Sequence, residues 1–188
     1  MVRRILILLN LIFIFRICSA PPPSENLTQQ YTQFAISEMK RWAYDREFVR
    51  FANFLQAKES GGDWTIINQI GCVGLFQFSP RTLEWLGYGY ITTDRFRHDP
   101  DIFPPELQLK ILKEFTRSNE NELKDYLCFV GEIINGVTIT KSGLLAGAHL
   151  AGCSGVKLYL NTRGAVNNKD INHTSVQDYI RGFAGFEI

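Results

Sequence analysis

Glu59 is a carboxylate on a stripe that should be apolar. In residues 46–60 (REFVRFANFLQAKES), Phe48, Ala52 and Leu55 recur at helical spacing, and Glu59 continues the series. At about 100° per residue, eleven steps bring Glu59 back to within roughly 20° of Phe48. A charge on a core-facing stripe costs free energy unless it is paired, solvated or neutralised. Polar positions were available, since the opposite stripe carries Arg46, Arg50, Asn53 and Lys58. The stop at Gly61 and Gly62 also leaves Glu59 among the last carbonyls, where the negative end of the helix dipole disfavours another negative charge. Both effects favour the neutral carboxyl, the form from which a general acid starts.

The segment that follows, ESGGDWTIINQIGCVGLFQF, is punctuated by glycine. Gly71 and Gly74 open backbone conformations closed to other residues and let another chain come close. Such a loop can lay backbone donors and acceptors, together with Gln77, along an extended polar ligand. A tight structural crossover accounts for the same glycines equally well.

Two blocks carry a resemblance. Glu59-Ser60 is followed by Asn68-x-x-Gly71-Cys72-x-Gly74-Leu75-Phe76-Gln77, and much later comes Leu145-Ala146-Gly147-Ala148-His149-Leu150-Ala151-Gly152 with Gly155-Val156. The first resembles the lytic transglycosylase signature of the lysozyme-like superfamily: a Glu-Ser pair, about ten residues, then Gly-Ala-x-Gly-Leu-Met-Gln. The second stands where that family has an Ala-Ala-Tyr-Asn-Ala-Gly helix with a Gly-x-Val continuation. The resemblance covers roughly residues 51–160.

The resemblance implies a small lysozyme-like α domain with a cleft for peptidoglycan glycan strands. It implies a mechanism in which one Glu protonates the glycosidic oxygen and then deprotonates the muramyl C6 hydroxyl, closing a 1,6-anhydro ring. Carried over, Glu59 is the acid/base. Ser60 orients it or a substrate group. Gln77 and the backbone of Gly74, Leu75 and Phe76 line the sugar subsites. The family's Tyr-Asn pair is His149-Leu150 here, so the tyrosine hydroxyl that helps position the Glu is missing from that place. His149 replaces it through a ring nitrogen on one reading and is a satisfied packing residue on the other. If both blocks fold around one cleft, Cys72 and Cys153 become neighbours.

Two other readings stay open. A hydrolysing lysozyme of the same fold needs a second carboxylate to activate water, about 6.5–9.5 Å from the first in inverting enzymes. Asp63, Asp94, Asp99 and Asp101 are available, although Asp63 after a glycine pair suits a turn. A catalytically inactive peptidoglycan-binding protein would keep the cleft without turnover. The aromatic residues Trp64, Phe76, Phe78, Trp85, Tyr88 and Tyr90 are stacking platforms for sugars or part of the core. There is no G-x-S-x-G, so a serine hydrolase is rejected.

These residues need a frame to hold them. Helical period dominates. Residues 27–44 form one amphipathic helix and the Glu59 segment a second. Pro80 opens a short helix to Leu86, and residues 88–92 suggest a hairpin. Pro104-Pro105 begins a longer helix with Leu107, Ile111, Leu112 and Phe115 on one side. Thr140 caps a helix that breaks between Gly152 and Gly155. Ser175, with Asp178 three on, caps a last one bearing Val176, Tyr179, Ile180 and Phe183. The expectation is a mainly α domain over residues 27–188.

The 188 residues, 45% hydrophobic and 21% charged, suit one globular domain of this kind. Before it, residues 1–20 read as a secretory signal: a basic start, an apolar run over residues 5–15, and Cys18-Ser19-Ala20 at the cleavage point. An uncleaved anchor is the alternative. Residues 21–26 are a linker. Export is expected from either, and the peptidoglycan substrate that the resemblance implies puts the place of action in the periplasm or cell wall. Loss of Arg3, Arg4 and Arg16 takes the formal charge from +1 to −2, which leaves no basic face for nucleic acid. The spacings of Cys72, Cys128 and Cys153 fit no zinc pattern, and Asp94-x4-Asp99-x-Asp101 lacks the EF-hand spacing. No metal or cofactor is expected. One disulfide among the three cysteines is open.

Overall fold

The computed structural model describes residues 25–170 and 172–188. The chain divides into two units between Ala43 and Tyr44. The described part of the first is helical throughout, with Phe34 and Met39 exposed and Arg41 paired to Glu38 at 2.6 Å. The expected signal and the linker up to residue 24 lie outside the described residues, whereas Glu25 and Asn26 are already helical.

Helix α1 (Glu25–Glu59) is continuous where two helices were expected. Neither glycine nor proline stands between Trp42 and Phe48, so nothing breaks it. It ends as the sequence indicates. Ser60 and Gly62 both donate backbone hydrogens to the Gln56 carbonyl (3.0 and 3.3 Å), and Gly61 and Gly62 take positive φ values of 65° and 87°.

The second unit is mainly α. After an irregular loop, α2 (Pro80–Trp85) starts at Ser79, whose hydroxyl accepts from the Thr82 amide. No hairpin forms around residues 88–92. Instead Thr92 caps a short helix, α3 (Thr93–His98), and a 3-10 turn follows at Pro100–Ile102. Helix α4 (Pro105–Glu122) buries Gln108, Ile111 and Leu112. A second 3-10 segment, Lys124–Phe129, leads into a two-stranded hairpin that the sequence reading missed. Its strands β1 (Ile133–Ile134) and β2 (Val137–Thr138) are antiparallel, with Ile133 opposite Thr138. Asn135 and Gly136 supply the two positive φ values (49° and 72°) that a type I′ turn requires.

Helix α5 (Lys141–Asn161) is capped by Thr140 and kinks at Gly152, whose φ of 68° and ψ of 166° are closed to most residues. Helix α6 (Val176–Gly182) carries a complete capping box between Ser175 and Asp178. Gly143 brings α5 and α6 backbone to backbone, because a Cβ there would lie 2.6 Å from the Ile180 carbonyl oxygen. Aromatic contacts join α1 to α6: Phe51 and Phe54 lie 5.2 and 4.9 Å from the Phe183 ring. That packing brings the C-terminal end of α1 against α6.

Candidate active site

The Glu59 side chain is 16% exposed at the end of α1. Its Oε1 accepts a hydrogen bond from the Tyr179 hydroxyl on α6. Burial and the neighbouring Glu59 carboxylate push the Tyr179 phenol far above its ordinary range, so it stays a donor at any working pH. The Lys58 ammonium sits 4.9 Å from the centroid of the same ring.

His149 arrives from α5, with 8% of its side chain exposed and Nε2 3.9 Å from Glu59 Oε1. That is beyond hydrogen-bond reach. Nε2 instead meets the Phe76 carbonyl at 2.8 Å. A carbonyl only accepts, so the hydrogen is on Nε2. Nδ1 is buried with no partner among the described residues. The ring lies edgewise to Phe78 and Phe115, at 5.7 and 5.8 Å. The expectation that His149 takes over the missing tyrosine's bond to Glu59 is therefore corrected. The hydroxyl bonded to Glu59 is that of Tyr179, while His149 holds the loop beside it.

The loop is knotted by its own backbone. Val73 exchanges hydrogen bonds with Phe78 (3.0 Å each), the Gly74 amide donates to the Ile66 carbonyl at 2.9 Å, and the Gly74 carbonyl accepts from the Gln77 amide at 3.2 Å. Leu75 and Phe76 turn their side chains into the core. Gln77 stands at φ 49°, a left-handed conformation uncommon for a side-chain-bearing residue, with its Nε2 bonded to the Gly74 carbonyl at 2.8 Å. Of the backbone groups of Gly74, Leu75 and Phe76, the Leu75 carbonyl and the Phe76 amide keep no partner among the described residues. Any sugar-lining role that the resemblance implies for this segment would fall to those two groups and Gln77.

Ser60 does not reach Glu59. Its hydroxyl donates to the Gln56 carbonyl (3.0 Å) and accepts from the Gly62 amide (3.1 Å), which makes it part of the helix stop. Asp63 folds over its own turn, accepting from the amide and hydroxyl of Thr65, and those bonds hold its carboxyl below the ordinary range. Asp94 pairs with Arg97, and Asp99 caps the 3-10 turn at Asp101. Phe76 and Phe78 are core, whereas Trp85 and Tyr90 are exposed. Cys72, Cys128 and Cys153 are free thiols. Burial raises the Cys72 thiol, and the nearby Glu59 carboxylate adds to this.

Two residues of the site were missed in the sequence. Tyr179 sits on a regular apolar stripe of α6, where a buried phenol reads as core. Gln108 carried a signal, because it shares the α4 stripe with Ile111, Leu112 and Phe115 and is as polar a misfit there as Glu59 is on α1. Compared with protein families, curated proteins and solved structures, the chain matches no family model, no curated protein and no solved structure.

Proposed function

We propose that this chain is a peptidoglycan lytic transglycosylase with a lysozyme-like fold and Glu59 as its single acid/base. The observation that carries the proposal is a convergence. His149 from the second block bonds the Phe76 carbonyl of the first and lies 3.9 Å from Glu59, and the Tyr179 phenol bonds the Glu59 carboxyl group. Packing alone gives no reason for a carboxyl, an imidazole and a phenol to share one buried corner.

The chemistry needs one carboxyl group. With Oε1 occupied by the Tyr179 hydrogen, the transferable proton belongs on Oε2. Glu59 gives it to the oxygen between N-acetylmuramic acid and N-acetylglucosamine. The C1–O bond breaks, its electron pair leaves with that oxygen, and positive charge develops at C1. The carboxylate then takes the proton of the muramyl C6 hydroxyl, whose oxygen closes on C1. Glu59 ends protonated, and neither water nor a cofactor is consumed. The turn and cap roles of Asp63 and Asp99 and the pairing of Asp94 favour this over hydrolysis by a carboxylate pair. The substrate places the work in the periplasm or the outer wall, consistent with the export signal expected over residues 1–20.

Digestion of purified sacculi followed by mass spectrometry tests the proposal. Anhydromuramyl ends are expected from the wild type, with turnover in Glu59→Gln lower by about 10²-fold or more. Reducing ends would mean hydrolysis instead. Binding to sacculi with no fragments from the wild type would mean a binding protein.

A further inference from the structure

Gln108 has no exposed surface, yet its carboxamide makes three hydrogen bonds, all to backbone and none within its own helix. Oε1 accepts from the Leu75 amide at 2.5 Å. Nε2 donates to the Phe103 carbonyl at 2.7 Å and to the Trp64 carbonyl at 3.0 Å. One side chain thus ties together the near limb of the glycine loop, its far limb, and the chain entering α4. Gly74 is matched to it, since a Cβ there would overlap the carboxamide. A core position that needed only volume would carry an aliphatic residue, as Ile111 and Leu112 do on the same stripe. An amide in their place costs desolvation, which is recovered only if every one of its groups is satisfied.

We propose that Gln108 is a positioning residue whose carboxamide fixes the shape of the turn at residues 74–77. Through that turn it sets the direction of Gln77, the unpartnered Phe76 amide, and the Phe76 carbonyl that seats His149 beside Glu59. The consequence for turnover rests on the glycan-cleaving reading given above. The consequence for the turn does not.

The experiment uses the full chain and two variants. Gln108→Met keeps length and apolar volume and removes all three bonds. Gln108→Glu keeps an acceptor for Leu75 when ionised, and regains one donor when neutral. Hydrogen exchange at the Leu75 amide is expected to quicken about tenfold in Gln108→Met, the loss of one buried hydrogen bond, with amides of α6 unchanged. KM for purified glycan strands is expected to rise about tenfold with a smaller change in kcat, the pattern of lost binding contacts. In Gln108→Glu the KM should move back toward the wild-type value as the pH is lowered. Unchanged Leu75 exchange overturns the proposal. So does faster exchange with KM unaltered, which would make the clamp purely structural. Should Gln108→Met not fold, the pH response of Gln108→Glu decides alone, and a flat response counts against the proposal. A wild type that neither cleaves nor binds glycan sinks the enzymatic reading, while Leu75 exchange still decides whether Gln108 sets the turn.

Discussion

One hydrogen atom on Tyr179 separates two arrangements of the acid. With the phenol donating, one Glu59 oxygen is held, and the other has no hydrogen-bond partner among the described residues. In Tyr179→Phe the carboxyl group can rotate between them. A hydrogen bond to a charged group contributes about 1.5–3 kcal/mol, so under the proposed glycan-cleaving function kcat/KM should fall about tenfold or more with the fold intact. Steady-state kinetics alongside circular dichroism would check this. The phenol also gives the fold a pH signature. Its ionisation is pushed upward in the native state by burial first and by Glu59 second. Its contribution to stability is complete below the ordinary phenol value near 10 and is lost as the pH climbs above it. Urea denaturation between about pH 8 and 11 should therefore lose stability more steeply in the wild type than in Tyr179→Phe; equal slopes would contradict the assignment. Legibility differed sharply between these two residues. Glu59 announced itself because a carboxylate interrupts an apolar series. Tyr179 did not, because an aromatic ring with a hydroxyl obeys the pattern it sits in.

The elements that hold these residues depend on their ends. Helix α6 is only seven residues long, so its capping box matters more than it would to a long helix. Ser175→Ala should lower stability by about 1 kcal/mol, read as a lower urea midpoint. Ser175 also holds the Asp178 carboxyl below its ordinary range through side-chain and backbone bonds. The stability linked to Asp178 is full above the ordinary carboxylate range and drains as the pH falls below it. Ser175→Ala should accordingly flatten the acid limb of the stability curve. Gly152→Ala tests the α5 kink. Nothing lies within 4 Å of a Cβ at that position, so the cost is backbone strain alone, about 1–3 kcal/mol, measured by the same urea titration. Thr140 and Ser175 were readable as helix starts because a small polar residue before an apolar series has one local use. The hairpin at residues 133–138 was harder to see. Two-residue strands are too short to show alternation, and Asn135-Gly136 was the one available clue. Residues 88–92 misled the reading because Tyr88 and Tyr90 suggested a hairpin, whereas Thr92 caps the helix that follows.

At the scale of the whole molecule, burial sorts the thiols. Cys72 and Cys153 are buried and Cys128 is exposed. Burial is the main cause that raises the Cys153 thiol to about 12, so almost none of it is thiolate at neutral pH. Alkylation of the native protein with iodoacetamide, followed by peptide mass spectrometry, should mark Cys128 first and leave Cys72 and Cys153 protected until urea is added. Equal labelling of all three would contradict this core. The pairing of Glu59 with Tyr179 spans 120 positions, and that distance has a consequence in time. The ribosome delivers the carboxyl group first and its phenol 120 residues later. A growing polypeptide therefore holds Glu59 without its phenol, and a wall-cutting activity of the kind proposed would switch on only after helix α6 has docked.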